Sequence, residues 1–191
     1  QMLCGYYAFG ETKMPRASIE LLGMSQNETG MLEMCAPCVF ESVIPSFALA
    51  WVIALGEYGM FSADIEFLRK MQPVAKGVLG YFIRLKKDGL VMRPSGLRDW
   101  NFYEWTDLSH NASQIGRTKE DKTPKQYDLS LNCMYIYVAD MYDKMTGEHT
   151  ETEGMKKAIK EHFFLADKGI YRIDTLHDRY SQLSNSLALL A

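Results

Sequence analysis

The sequence predicts an all-α protein assembled from antiparallel helical hairpins, and three observations carry that prediction. Helical periodicity dominates the chain while strand-like alternation is scarce. Two kinds of helix alternate, one apolar on nearly every face and one amphipathic. Connections alternate as well: each apolar helix passes to its amphipathic partner through a short turn, and each return is long.

Taken in order, residues 2–9 read as the end of a buried helix, and Gly10-Glu11-Thr12 turns the chain into an amphipathic helix over 13–24. A long connection, 25–43, follows. Residues 45–58 (P-S-F-A-L-A-W-V-I-A-L-G-E-Y) are apolar all round, as expected of a helix buried on every side. Phe61-Ser62-Ala63 turns into an amphipathic helix over 64–87, where Asp64 and Glu66 favour the positive helix end. After the long connection 88–126, residues 129–142 (L-S-L-N-C-M-Y-I-Y-V-A-D-M-Y) repeat the buried character. Thr146-Gly147-Glu148 then turns into an outer helix over 151–164, with Glu153 and Lys157 at pairing distance along it. A third long connection, 166–179, precedes a further buried helix over 183–191.

Inner helices shielded by outer ones describe an α/α barrel, and antiparallel hairpins place all three long connections at the same end. A superhelical stack of helix pairs is the alternative, though such stacks keep a tighter period. Here Tyr7 to Tyr58 spans 51 residues and Tyr58 to Tyr142 spans 84, so insertions break the period. A complete barrel of this type, (α/α)6, has six hairpins, and this chain holds about three and a half. Gln1 is not an initiator and 187–191 is an uncapped apolar run. Residues 1–191 are therefore expected to be part of a single barrel domain cut at both ends, with the rest of that domain as its partner. Expressed alone, such a piece should expose apolar flanks and self-associate.

Composition narrows the function classes. Apolar residues make up 47% and charged residues 24% of 191, and the net charge of −3 with no Lys/Arg cluster argues against nucleic-acid binding. No apolar run reaches membrane-spanning length. His110, His149, His162 and His177 are scattered without metal-ligand spacing, so no metal or cofactor is expected. Cys35-Ala-Pro-Cys38 forms a CxxC with no second ligand pair, and its flanks read as loop. It is expected to be an incidental pair of reduced thiols, with a labile disulfide as the alternative.

The richest segment is Asp99-Trp100-Asn101-Phe102-Tyr103-Glu104-Trp105, four rings and two carboxylates in one irregular stretch of the longest connection. Ring faces stack on the C–H faces of sugars, and carboxylates and amides take the hydroxyls. Core filling is the plainer use of such rings. At the mouth of a barrel the ligand role is favoured. Trp100 and Trp105 are then the stacking residues, Asp99 and Glu104 hold hydroxyls, and Asn101 and Tyr103 contribute hydrogen bonds or shape. Arg98 is placed to orient Asp99. Glu33 and Glu41, on the preceding long connection, are secondary candidates.

Several stretches together resemble the catalytic domain of bacterial glycoside hydrolase family 78, the α-L-rhamnosidase-like enzymes of the six-hairpin fold. Residues 1–11 (Q-M-L-C-G-Y-Y-A-F-G-E) look like the helix after that family's upstream acidic motif. Ile44-Pro45-Ser46-Phe47 with Trp51 looks like its next inner helix, and W-N-F-Y-E-W like its Trp-x-Phe-x-acidic-Trp loop. Leu131-Asn132 and Ser184-Asn185-Ser186-Leu187-Ala188-Leu189 are similar to the starts of two later inner helices.

The resemblance implies inverting hydrolysis of terminal α-L-rhamnosyl linkages, with a rhamnosyl glycoside or polysaccharide as the carbohydrate partner. It also implies that the catalytic pair lies elsewhere. The family's general acid belongs to a Pro-x-Arg-Glu type motif upstream of the position matched by Gln1, and its general base to a Trp-Glu segment beyond Ala191. No catalytic residue is therefore assigned within 1–191. Asp99 and Glu104, five residues apart on one loop, are read as substrate holders. Rival readings are another six-hairpin carbohydrate enzyme (a glucuronyl hydrolase or a lyase) and a non-catalytic helical-repeat module binding a glycan or peptide.

Overall fold

The computed structural model describes residues 2–39, 41–96, 98–105 and 126–191. It contains the expected helices in the expected order: α1 (Met2–Phe9), α2 (Lys13–Gly23), α3 (Pro45–Ser62), α4 (Ile65–Arg84), α5 (Leu129–Thr146), α6 (Glu153–Phe163) and α7 (Gln182–Leu190). Two short antiparallel hairpins, β1–β2 (Lys86–Lys87 with Leu90–Val91) and β3–β4 (Phe164–Leu165 with Ile170–Tyr171), follow outer helices α4 and α6.

Helix α3 starts at Pro45, whose missing N–H costs nothing at a first helical position. It ends where Ala63 turns left-handed and donates its N–H to the Gly59 carbonyl. Helix α5 ends the same way at Gly147, where glycine takes the positive φ of 75° without strain. The two inner helices lie against each other, and Gly56 is the reason they come so close. A Cβ at that position would collide with the Met141 side chain. Leu49, Val52 and Leu55 of α3 and Leu131, Ile136 and Val138 of α5 are fully or almost fully buried. These apolar faces therefore supply the main driving force for assembly.

The outer helices cover the inner pair. Along α4, Phe67, Met71, Ala75, Val78 and Phe82 recur at helical spacing and face the core, while charged residues face out. Asp64 caps this helix by accepting the Phe67 N–H, as its position before an amphipathic run predicts. Helix α2 packs on α3 through the Trp51 indole, which donates to the Ile19 carbonyl at 2.9 Å. Helix α7 packs on α5, continuing the inner layer.

Three details differ from the sequence reading. Helix α4 stops at Arg84 because Asp88 and Gly89, both at positive φ, form the two-residue turn of a hairpin. The second hairpin closes through residues 166–169, with Gly169 left-handed. On α6, Glu153 pairs with Lys156, one residue before the expected Lys157, which meets Glu161.

Each hairpin is fastened to the next inner helix by an asparagine in that helix's first turn. Asn132 accepts the Val91 N–H and donates to the Val91 and Asp128 carbonyls, at 2.8–3.0 Å. Asn185 accepts the Tyr171 N–H and donates to the Tyr171 and Ser181 carbonyls, at 2.9–3.0 Å. The repeated unit is thus outer helix, hairpin, loop, asparagine clamp, inner helix.

The long connections meet at one end. Val43 bridges Asp99 in parallel through Val43 N–H to Arg98 O (2.9 Å) and Trp100 N–H to Val43 O (2.8 Å). Asp128 bridges Asp174 in antiparallel fashion, with Leu129 N–H to Ile173 O at 2.8 Å.

Candidate functional site

That gathering of loops sets the aromatic segment against the start of α3. Trp100 and Phe102 form a small second core with Ile44, and Met34 packs on it from the first long loop. The ring centroids of Trp100 and Phe102 are 5.1 Å apart, and Trp105 sits edge-on to both, 6.1 Å from Trp100 and 4.8 Å from Phe102. Ser46, in the first turn of α3, donates its hydroxyl to the Phe102 carbonyl. The loop is therefore held by apolar contact on one side and by main-chain bonds on the other.

The two tryptophans divide their work. Trp100 is 7% exposed, so its ring faces are mostly spent on packing. Its indole Nε1–H is buried without a hydrogen-bond acceptor among the described residues, which makes it a donor in need of a partner. Trp105 is 76% exposed and presents the open ring surface.

Asp99 is partly buried at the edge of this cluster. Its Oδ2 accepts the Gly96 N–H at 2.9 Å and the Tyr81 hydroxyl at 3.0 Å. Burial raises its pKa above the ordinary carboxylate value, and these two donors only partly offset that. Both bonds fall on Oδ2, so Oδ1 retains acceptor capacity for an incoming hydroxyl. Arg98 does not orient Asp99: its guanidinium pairs with Glu41 across the two loops. That pairing also explains Glu41, whose carboxylate ties one long loop to the other.

The remaining residues fall into place around this core. Asn101 is buried and donates its amide to the Pro94 carbonyl at 2.7 Å, which shapes the loop from inside. Tyr103 donates its hydroxyl to Asp128 Oδ2 at 3.1 Å. Glu104 lies at intermediate exposure between Tyr103 and Trp105. Glu33 lines a largely apolar cleft together with Met34, Phe47 and Trp51, and its Oε2 is buried without a hydrogen-bond partner among the described residues. His177 contacts Asp174 through Nδ1 at 3.0 Å, and His110 lies outside the described residues. Cys35 and Cys38 are exposed thiols on the first long loop, hydrogen-bonded to each other, with Cys35 pushed up mainly by that bond. Among the described residues, no group of three or more His, Cys, Asp or Glu side chains could hold a metal ion.

Sequence reasoning missed Tyr81 and Asp128. Asp128 left one signal, an acidic residue directly before an inner helix, but such residues are normally read as caps. Here its side chain makes no capping bond.

Helix pairs with every long loop gathered at one end, over a surface faced by rings and carboxyls, define an α/α-hairpin domain of the glycosidase kind. The chain belongs to the bacterial α-L-rhamnosidase six-hairpin glycosidase domain family, whose profile matches residues 1–191. Among solved structures it is similar to a family 78 rhamnosidase of Bacillus sp. GL1, with a TM-score of 0.76 and 19% identity, covering 99% of this chain and 20% of that one. It is also similar to a rhamnosidase from Klebsiella oxytoca with rhamnose bound, with a TM-score of 0.75 and 14% identity, covering 99% of this chain and 36% of that one. At these identities the likeness establishes the fold. The chain spans about a fifth and about a third of the two structures. Among curated protein sequences, none matches it.

Proposed function

We propose that the intact protein hydrolyses terminal α-L-rhamnosyl linkages with inversion, and that residues 99–105 form part of the wall that grips the sugar. The observation that carries this reading is the aromatic loop itself, fixed at the loop end of a domain of this family. A rhamnosyl ring has an apolar C–H face and a methyl group, which suit the exposed face of Trp105. Its hydroxyls suit Asp99 Oδ1, the Glu104 carboxylate and the Trp100 indole N–H. Asn101 and Tyr103 hold the loop that carries them.

Inversion needs one carboxylic acid to protonate the leaving oxygen and one carboxylate to activate water, about 6.5–9.5 Å apart. Both belong, in this reading, to segments outside 1–191. The contribution of Asp99 and Glu104 is negative potential near the sugar, which favours the positive charge developing at the anomeric carbon.

The test is to give the intact protein an aryl α-L-rhamnopyranoside and follow the first product by proton NMR. Release of β-L-rhamnose ahead of its mutarotation to the α form is expected. No release, or initial α-anomer, overturns the reading.

A further inference from the structure

Asp128 enters the site so far only as the acceptor of the Tyr103 hydroxyl, yet it is the point where the loop end is knotted together. It is 6% exposed and sits immediately before α5. Its Oδ2 accepts the Tyr103 hydroxyl at 3.1 Å, its Oδ1 accepts the Gln126 amide at 2.9 Å, and the Arg93 Nε lies 3.7 Å from Oδ2. Arg93 in turn donates its backbone N–H to the Gln126 carbonyl at 2.9 Å. Asp128 also pairs with Asp174 across the third long loop. The buried carboxylate thus joins the aromatic loop, the stretch after the first hairpin and the start of α5, while the main chain of Asp128 bridges to the third loop.

The aromatic loop needs such an anchor. Its first half is held by Val43, by Pro94 through Asn101, and by Ser46 through the Phe102 carbonyl. Its second half carries Glu104 and Trp105; Trp105 packs edge-on against Trp100 and Phe102, and the Tyr103 hydroxyl adds a bond from this half to Asp128 at the start of α5. Burial and the Asp128 carboxylate hold the Tyr103 hydroxyl well above its ordinary pKa, so it remains a donor through neutral pH.

We propose that Asp128 is a positioning residue: acting through Tyr103, it sets the placement of Glu104 and Trp105 for the sugar without touching the sugar itself. This rests on the rhamnosyl reading above. A hydrogen bond to a buried carboxylate carries more weight than one between neutral groups. Losing it removes the hydrogen bond between the Trp105-bearing half of the loop and the start of α5.

The experiment uses the intact protein with Asp128→Asn, Tyr103→Phe and the double variant, titrated with L-rhamnose by calorimetry. Hydrogen exchange over 99–105 is measured in parallel. Each single variant is expected to weaken rhamnose binding about tenfold, the order that losing one charge-assisted hydrogen bond produces. The double variant is expected to be no weaker than either single, because both remove the same link. Binding within twofold of wild type in the single variants, or losses that multiply in the double, overturns the proposal. If wild type itself does not bind L-rhamnose, the sugar reading falls and exchange decides positioning alone. Faster exchange over 99–105 in both single variants supports it, and unchanged exchange overturns it. Should Asp128→Asn fail to fold, Tyr103→Phe carries both measurements.

Discussion

Asp99 shows how one residue's environment can be turned into a pH signature. Burial raises its carboxyl pKa in the folded state, against the opposing pull of Gly96 and Tyr81. The native protein therefore binds that proton more tightly than the unfolded chain does, whose aspartates titrate at about 3.9. The resulting stabilisation is fully present below the unfolded value and is lost as pH rises through the raised folded value. Asp99→Asn removes the titration. Wild type should lose stability relative to this variant as pH rises from about 4, in melts of the intact protein; a difference that stays flat across that range contradicts the assignment. At this scale the sequence was partly legible. The rings and acids of 99–105 were visible as a cluster, but their division of labour was not. Trp100 and Trp105 look alike in sequence, and only the packing of Ile44 and Met34 makes one a buried donor and the other an open face. The Arg98–Glu41 pair and the Tyr103–Asp128 bond link positions 57 and 25 residues apart, separations that no local pattern encodes.

Among the elements, the two asparagine clamps make the sharpest claim. Asn132 is fully buried and satisfies both main-chain groups of Val91, itself fully buried. Truncation leaves those groups without partners, each worth about 1–3 kcal/mol. Asn132→Ala should therefore destabilise the intact protein by about 3 kcal/mol in urea melts. Asn185→Ala, at a more exposed site, should cost clearly less. Equal losses, or none at Asn132, would count against the clamp. Helix existence and type were readable from periodicity because burial on all faces or on one stripe leaves a strong mark. The hairpins were not anticipated, since two-residue strands are too short to show alternation. Asp88-Gly89, with both residues at positive φ, was the one local clue to the first of them. Helix α4 was correspondingly expected to run three residues too far, because Leu85, Lys86 and Lys87 suit a helix as well as a strand end.

For the molecule as a whole, alternating short and long connections proved the most informative property of the sequence, because they fix which end gathers the loops. The main-chain bridges between the loops bear that out. The same architecture leaves Tyr7, Phe9 and Met14 exposed along α1 and α2, and Leu189 and Leu190 along α7. Patches of this kind favour association. Residues 1–191 produced by themselves should self-associate, and light scattering of the purified piece checks it: a monodisperse monomer that melts cooperatively would contradict this expectation. The parallel bridge between Val43 and Asp99 has one more consequence. It uses only peptide N–H and C=O groups, which every residue type except proline at the donor position can supply. The bridge itself therefore tolerates changes of side chain at 43, 98 and 100, other than proline at the two donor positions 43 and 100, while the backbone keeps the same seat beside α3. On the proposed rhamnosyl reading, single substitutions in the loop would shift sugar preference without any rebuilding of the helices beneath.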